Sequence, residues 1–230
     1  MSKPGLHDAL LRRLGDDLVT GELAAGTVLT MEQIEDRYGV SRTVVREVIK
    51  VLQSLGVVTS RRRVGITVQP EHAWEALSPV IVQWRLDGPR RLDHLREISE
   101  LRRGIEPVAA ALAAQRASRD QIERLRAAVT GMSVTGPAGD LTAYLAHDVD
   151  FHQCLLEASG NPMLASLTGL VKEALTGRTT HDLMPATPEP QAIAWHVEIA
   201  AAVGAGDAVR AEEAARLIVE EARSAVEDLR

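Results

Sequence analysis

Two short amphipathic runs meet at a glycine between residues 30 and 56, and that break limits the fold more than any other feature of the chain. Thr30 is placed to cap a helix carrying Met31, Ile34 and Tyr38, and Gly39 ends it. Ser41 caps the next run, which continues through Val44, Val45, Val48, Ile49, Leu52 and Leu55 to a stop at Gly56. Helix, glycine-containing turn and helix together outline a helix-turn-helix. An earlier helix is marked by Leu6, Leu10, Leu14 and Leu18, with Gly21 as its stop and a short connector from Leu23 to Leu29 behind it. After Gly56, the β-branched stretches Val57 to Ser60 and Ile66 to Val68 flank Arg61, Arg62, Arg63 and Gly65, a pattern that predicts a small β-hairpin, or wing.

From Gln69 and Pro70 a linker begins, and the periodicity beyond it is helical throughout. Apolar residues recur at three and four spacing over 79–86, 92–115, 118–129, 141–159, 162–176, 192–203 and 207–229. Ser118 with Gln121 forms a capping-box pattern. Met184 to Pro190 holds three prolines and is expected as a loop. With one Phe and two Tyr, the core is aliphatic, as suits a tight bundle. The expected fold is mainly α, with an N-terminal winged helix-turn-helix at 1–70, a linker with a connecting helix at 71–91, and a C-terminal all-α antiparallel helical bundle at 92–230. The chain's 230 residues suit two such modest domains. Its single cysteine, Cys154, excludes an internal disulfide and, among leucines, reads as core filler. The N-terminus lacks the pattern of a signal peptide, and no run approaches the roughly 18 apolar residues of a membrane span. A soluble, cytoplasmic protein with no membrane partner is expected.

The net charge of −6 is unevenly spread: residues 1–70 carry +2 and the remaining 160 carry −8. From Arg37 to Arg63 seven basic residues are opposed only by Glu47. Ser41 and Thr43 at a helix start suit phosphate binding through hydroxyls and backbone N–H groups. Arg42 and Arg46 are four apart and share a face, opposite the apolar face of Val44, Val48, Leu52 and Leu55. An apolar back with arginines forward is what a recognition helix requires, and Arg61, Arg62 and Arg63 at the wing tip suit the adjacent groove or backbone.

The run from Leu18 to Val68 resembles the N-terminal domain of the GntR family of bacterial regulators, most specifically at Gly39-Val40-Ser41-Arg42-Thr43 and Val45-Arg46-Glu47. The resemblance implies binding of double-stranded operator DNA as a homodimer, with Ser41, Arg42, Thr43, Arg46, Arg61, Arg62, Arg63 and Gly65 as the DNA-binding set. Glu32 departs from it, standing where some members place a DNA-contacting arginine, so that contact is not carried over.

In the helical part, Asp148 and His152 are four apart on one helix face, and His196 lies on a later helix. Such residues are either packed and hydrogen-bonded or a set of ligands for a divalent cation. From about Leu92 onward the chain resembles the FCD sensor domain of the FadR branch of that family. The likeness rests on Glu100-Leu101-Arg102 with Glu106-Pro107, Asp148 to His152, and His196 before Gly206-Asp207. The resemblance implies a divalent metal (Zn, Ni or Mn) on one Asp and three His, with an organic acid completing the coordination. Asp148, His152 and His196 match three of those positions, whereas the fourth is Ile218; water, the effector or His181 are the substitutes. Arg102 matches an effector-facing arginine able to clamp a carboxylate, although it also stands four residues from Glu106. Pro79 to Trp84 resembles regulators of sugar-acid catabolism. The function expected is a DNA-binding transcription regulator, a repressor controlled by a small carboxylate such as a sugar acid. The alternatives are a metal-dependent enzyme of the helical domain and a winged-helix adaptor for protein partners.

Overall fold

The computed structural model describes residues 5–181, 183–185 and 187–227, and the chain parts into two compact units between Arg91 and Leu92. The first unit contains α1 (Leu6–Val19), β1 (Val28–Leu29), α2 (Met31–Tyr38), α3 (Arg42–Ser54), β2 (Val58–Arg61), β3 (Gly65–Val68), a 3-10 turn (Glu71–Ala73) and α4 (Pro79–Asp87). Thr30 and Gln33 form a reciprocal capping box at the start of α2, with bonds of 3.2 and 2.7 Å. Gly39 then takes the left-handed conformation, φ 66°, which redirects the chain into α3. Ser41 occupies the N-cap of α3, but its hydroxyl makes no capping bond and is exposed.

The buried face of α3 is Val45, Val48, Ile49 and Leu52, while Val44 and Leu55 are only half-buried. The inward stripe is thus turned by about one residue from the expected one. These side chains close on Leu10, Leu14, Leu18, Ile34 and Tyr38. Residues 71–91 also belong to this first unit. Trp74 donates its indole N–H to the Gln69 carbonyl at 3.0 Å. Trp84 covers Gly15 so closely that a Cβ there would lie 2.3 Å from the ring.

The wing hairpin pairs β2 with β3 antiparallel, in the register Ser60↔Ile66 and Thr59↔Thr67. A third strand, β1, adds to the other edge of β3 at Val28↔Thr67, inside the stretch expected as connector. Two residues are too short to show a period of two, so this strand left no pattern in the sequence.

In the second unit α5 (Arg91–Arg116), α6 (Arg119–Thr135), α7 (Leu141–Ala158), α8 (Pro162–Ala165), α9 (Thr168–Thr180), α10 (Pro190–Ala205) and α11 (Ala208–Glu227) follow in order. The helix α7 packs on α6 and α9, and α10 on α6 and α11. Their shared core is built from alanines and aliphatics around Leu125, Met132, Phe151, Leu155, Ile199 and Val203. The single helix expected over 162–176 is two helices, because Ser166 and Leu167 turn the chain between α8 and α9. The proline-rich 184–190 stretch precedes and enters α10; of it, Ala186 lies outside the described residues.

Cys154 is fully buried, and burial pushes its thiol up to about 11. At about pH 8 the thiolate that alkylating reagents require is scarce. Iodoacetamide is therefore expected to leave Cys154 unmodified in the folded protein and to modify it after unfolding in guanidinium, as read by intact mass. Rapid alkylation of the native protein would contradict the packing.

Candidate functional site

Asp148 and His152 leave the same face of α7, and α10 brings His196 to them. All three are buried, and one donor atom from each lies within 4.8 Å of the others. Asp148 Oδ1 is 3.4 Å from His152 Nε2 and 3.2 Å from His196 Nε2, and the two Nε2 atoms are 3.3 Å apart.

The far ring nitrogens fix what these atoms present. His196 Nδ1 is 2.7 Å from the Ala192 carbonyl oxygen, which only accepts, so Nδ1 carries the proton and Nε2 offers a lone pair. His152 Nδ1 is 2.9 Å from Glu106 Oε2. The ring N–H is poorly aligned with that oxygen, yet a carboxylate at this distance selects the same tautomer. Three lone-pair donors therefore converge, and a proton or a cation among them removes their repulsion.

The electrostatics agree. Burial alone would lower the pKa of His152, but the Glu106 and Asp148 carboxylates overcome it and raise the ring to about 9. Burial would raise Asp148, but the two imidazoles set against its carboxylate instead hold it well below the ordinary carboxylate range. Two imidazoles and a carboxylate suit a borderline divalent ion such as zinc. The residues present fit such an ion, with three protein donors and Ile218 of α11 lining the same cavity. His181 caps the end of α9 and is not in the converging set.

Phe151, the chain's single phenylalanine, braces both rings edge-on, with centroids 5.6 and 4.9 Å away. Arg102 of α5 is 2% exposed and bonds Glu106 through Nε at 2.5 Å and Nη2 at 3.3 Å. The pairing that spacing allowed is thus present, but deep in the domain. Burial would raise Glu106, yet Arg102 and His152 bring it down to about 2. Arg102, Asp148, His152 and His196 line a cavity with Tyr144, Arg178 and Glu221. Its volume of about 30 Å³ is room for a water-sized group or two.

In the first unit Arg42 and Arg46 stand at the front of α3, and Ser41, Thr43, Arg61, Arg62 and Arg63 are exposed with them. Arg42 donates to Glu32 at 2.9 Å. Glu32 thus faces the recognition-helix arginine across the turn. Arg63 sits at φ 67°, unusual for a residue with a side chain, and turns the wing. Gly65 has a packing reason as well, since a Cβ there would lie 2.8 Å from the Leu29 carbonyl oxygen.

Residues 6–68 match the model of bacterial regulatory proteins of the gntR family, and residues 97–221 match the FCD domain. The chain belongs to the GntR family of transcription regulators. It is 26% identical over 216 residues to the galactonate operon transcriptional repressor of Escherichia coli, covering 92% of this chain and 93% of that one. It is 26% identical over 200 residues to the regulator LutR of Bacillus subtilis, covering 84% and 89%. Streptococcus agalactiae GntR has the same fold, with a TM-score of 0.53 at 23% identity over 95% of this chain and 99% of that one. E. coli McbR/YncC does too, with a TM-score of 0.56 at 19% identity over 98% and 99%. This GntR-family member is accordingly a DNA-binding transcription regulator and not an enzyme. No helix among its described residues is long and apolar enough to cross a membrane.

Sequence reasoning passed over two residues that the folded sensor domain uses. Glu106, noticed as part of the family likeness and as a neighbour of Arg102, joins α5 to the histidine of α7. Arg178 extends the buried stripe of Val171, Ala174 and Leu175 on α9 by one more turn, and an arginine on an apolar stripe was the signal available.

Glu106 neutralises a guanidinium that is itself almost fully buried. Glu106→Ala is expected to cost about 3–5 kcal/mol by stranding that charge, measured by urea unfolding. A loss below about 1 kcal/mol would show that Arg102 has another counter-charge.

Proposed function

We propose that this GntR-family regulator is a cytoplasmic repressor that binds operator DNA as a homodimer and is controlled by a small carboxylate, a sugar acid among the candidates. The observation that carries the reading is the convergence of Asp148, His152 and His196 beside the Arg102 guanidinium, in the same chain as an arginine-fronted recognition helix. Residues 1–70 read the DNA, 71–91 connect, and 92–230 sense the effector. Ser41 and Thr43 bind phosphate at the start of α3, Arg42 and Arg46 meet base edges or phosphate, and Arg61, Arg62 and Arg63, with the turn at Gly65, reach the neighbouring groove. Asp148, His152 and His196 hold a divalent ion (zinc, nickel or manganese), which supplies a Lewis-acidic point for an acid's oxygen. Arg102 attracts the acid's charge from the α5 side. The name of the E. coli galactonate repressor supports the sugar-acid class.

The cavity's present volume is far below the roughly 300–1,000 Å³ of ordinary ligand sites, so an acid enters only if the lining side chains move apart. Effector binding then favours a rearranged population, and operator affinity follows it.

On the DNA upstream of its own gene, fluorescence anisotropy is expected to show binding that weakens steeply with salt. Arg42→Ala with Arg46→Ala is expected to cost about 1–3 kcal/mol for each arginine that bonds a base edge and to flatten the salt slope by about one for each that meets a phosphate. Unchanged binding by this double variant would remove α3 from the interface.

Dialysis against a chelator, followed by zinc, nickel or manganese, is expected to raise the melting temperature of the wild type in differential scanning fluorimetry. His196→Ala is expected to abolish that rise. An equal rise in both proteins would place the metal elsewhere.

A further inference from the structure

Arg178 stands in the last turn of α9, 7% exposed, and its Nε has no hydrogen-bond partner. Among the described residues no carboxylate lies within ion-pair distance of its guanidinium. It faces the same cavity as Arg102, Tyr144, Asp148, His196 and Glu221. The two arginines differ in one respect. The charge of Arg102 is already met by Glu106 through two bonds, whereas among the described residues Glu221 and Asp148 act on Arg178 only from beyond ion-pair distance. Burial, and then the like charge of Arg102, press the pKa of Arg178 down, but a guanidinium remains protonated in a protein. A buried cation with no carboxylate at ion-pair distance is costly, and an anion brought into the cavity would relieve that cost. The planar fork of a guanidinium matches a carboxylate.

We propose that Arg178 is the principal anion anchor of the sensor cavity, taking the carboxylate of a small organic acid, with Arg102 as the already neutralised partner beside it. This rests on the reading of the cavity as a carboxylate site. It moves the main contact from the arginine that the sequence singles out to one that it does not.

Arg178→Met and Arg178→Lys in the full-length protein separate the two readings. The probes are D-galactonate, D-gluconate, glycolate and inorganic phosphate, followed by calorimetry and by melting temperature. The wild type is expected to bind at least one carboxylate. Arg178→Met is expected to lose about 30-fold or more in affinity for it, with Arg178→Lys intermediate. Without any acid, Arg178→Met is expected to melt higher than the wild type, because an uncompensated buried charge has gone; a purely structural arginine would give the opposite sign. Equal affinity in wild type and Arg178→Met would overturn the anchor while leaving the carboxylate reading intact. A lower ligand-free melting temperature in Arg178→Met, matched by Glu221→Gln, would mark a structural Arg178–Glu221 pair and overturn it too. If no carboxylate of the panel binds the wild type, the carboxylate reading fails and the anchor fails with it. Phosphate bound as tightly as any carboxylate would refute the ligand class.

Discussion

Lone pairs buried against one another are tolerated only where something positive lies among them. The two Nε2 atoms and Asp148 Oδ1 within about 3.4 Å of each other set that condition for the whole sensor domain. The arrangement is imposed from behind. The Ala192 carbonyl turns His196, Glu106 turns His152, and Arg102 holds Glu106. A single chain of charge and hydrogen bonding therefore passes from α5 through α7 to α10, and each link fixes the tautomer or ionisation of the next. Phe151 packs edge-on against both imidazoles and restricts their rotation. Burying so many polar groups is unfavourable unless their charges are matched, as those of Arg102, Glu106, His152 and Asp148 are. The register of three helices is thus tied to one cluster.

The first unit works by a different balance. Its hydrophobic cluster fixes α3 firmly, while the residues that would meet DNA make only exposed contacts. The Arg42–Glu32 pair is about two-thirds exposed on both sides, and such solvent-screened pairs contribute little. Glu32 is therefore no lock. It holds Arg42 over the turn, and if Arg42 meets DNA as proposed, charge-assisted bonds to phosphate or to a guanine edge would outweigh this exposed pair.

How much of this was legible depends on whether the signal was periodic. The helix-turn-helix was, because Gly39 needs a left-handed backbone and Val45, Val48, Ile49 and Leu52 repeat on one face. Asp148 and His152 were legible as a pair from their spacing, and His196 only as a residue of a later helix that a bundle can bring to them, since a separation of 44 residues carries no period. The break between α8 and α9 was hidden because apolar residues continue across Ser166 and Leu167 without a glycine or proline. The strand β1 was hidden by its length. The role of Glu106 was hidden because it depends on which way an imidazole on another helix is turned. Arg178 shows the same limit from the other side: its place on an apolar stripe is a sequence fact, but that no carboxylate among the described residues stands at ion-pair distance from it is a fact of three dimensions.

For a carboxylate effector the small cavity turns these details into a question of magnitude. Moving a two-state regulator from one part in a hundred to ninety-nine requires a differential affinity of about 5.5 kcal/mol. Truncating one member of a buried charge pair typically costs about 2–5 kcal/mol. One guanidinium thus falls short of a full switch, and a charge already neutralised, as that of Arg102 is, adds less than a free one. A complete response needs an unpaired cation, the imidazole–carboxylate cluster and the neighbouring Tyr144 hydroxyl to act on the same small molecule. An acid that engages only one of them would bind without moving the operator equilibrium far. Discrimination among acids would then come from how many of these groups a ligand reaches at once, more than from how tightly any single group holds it.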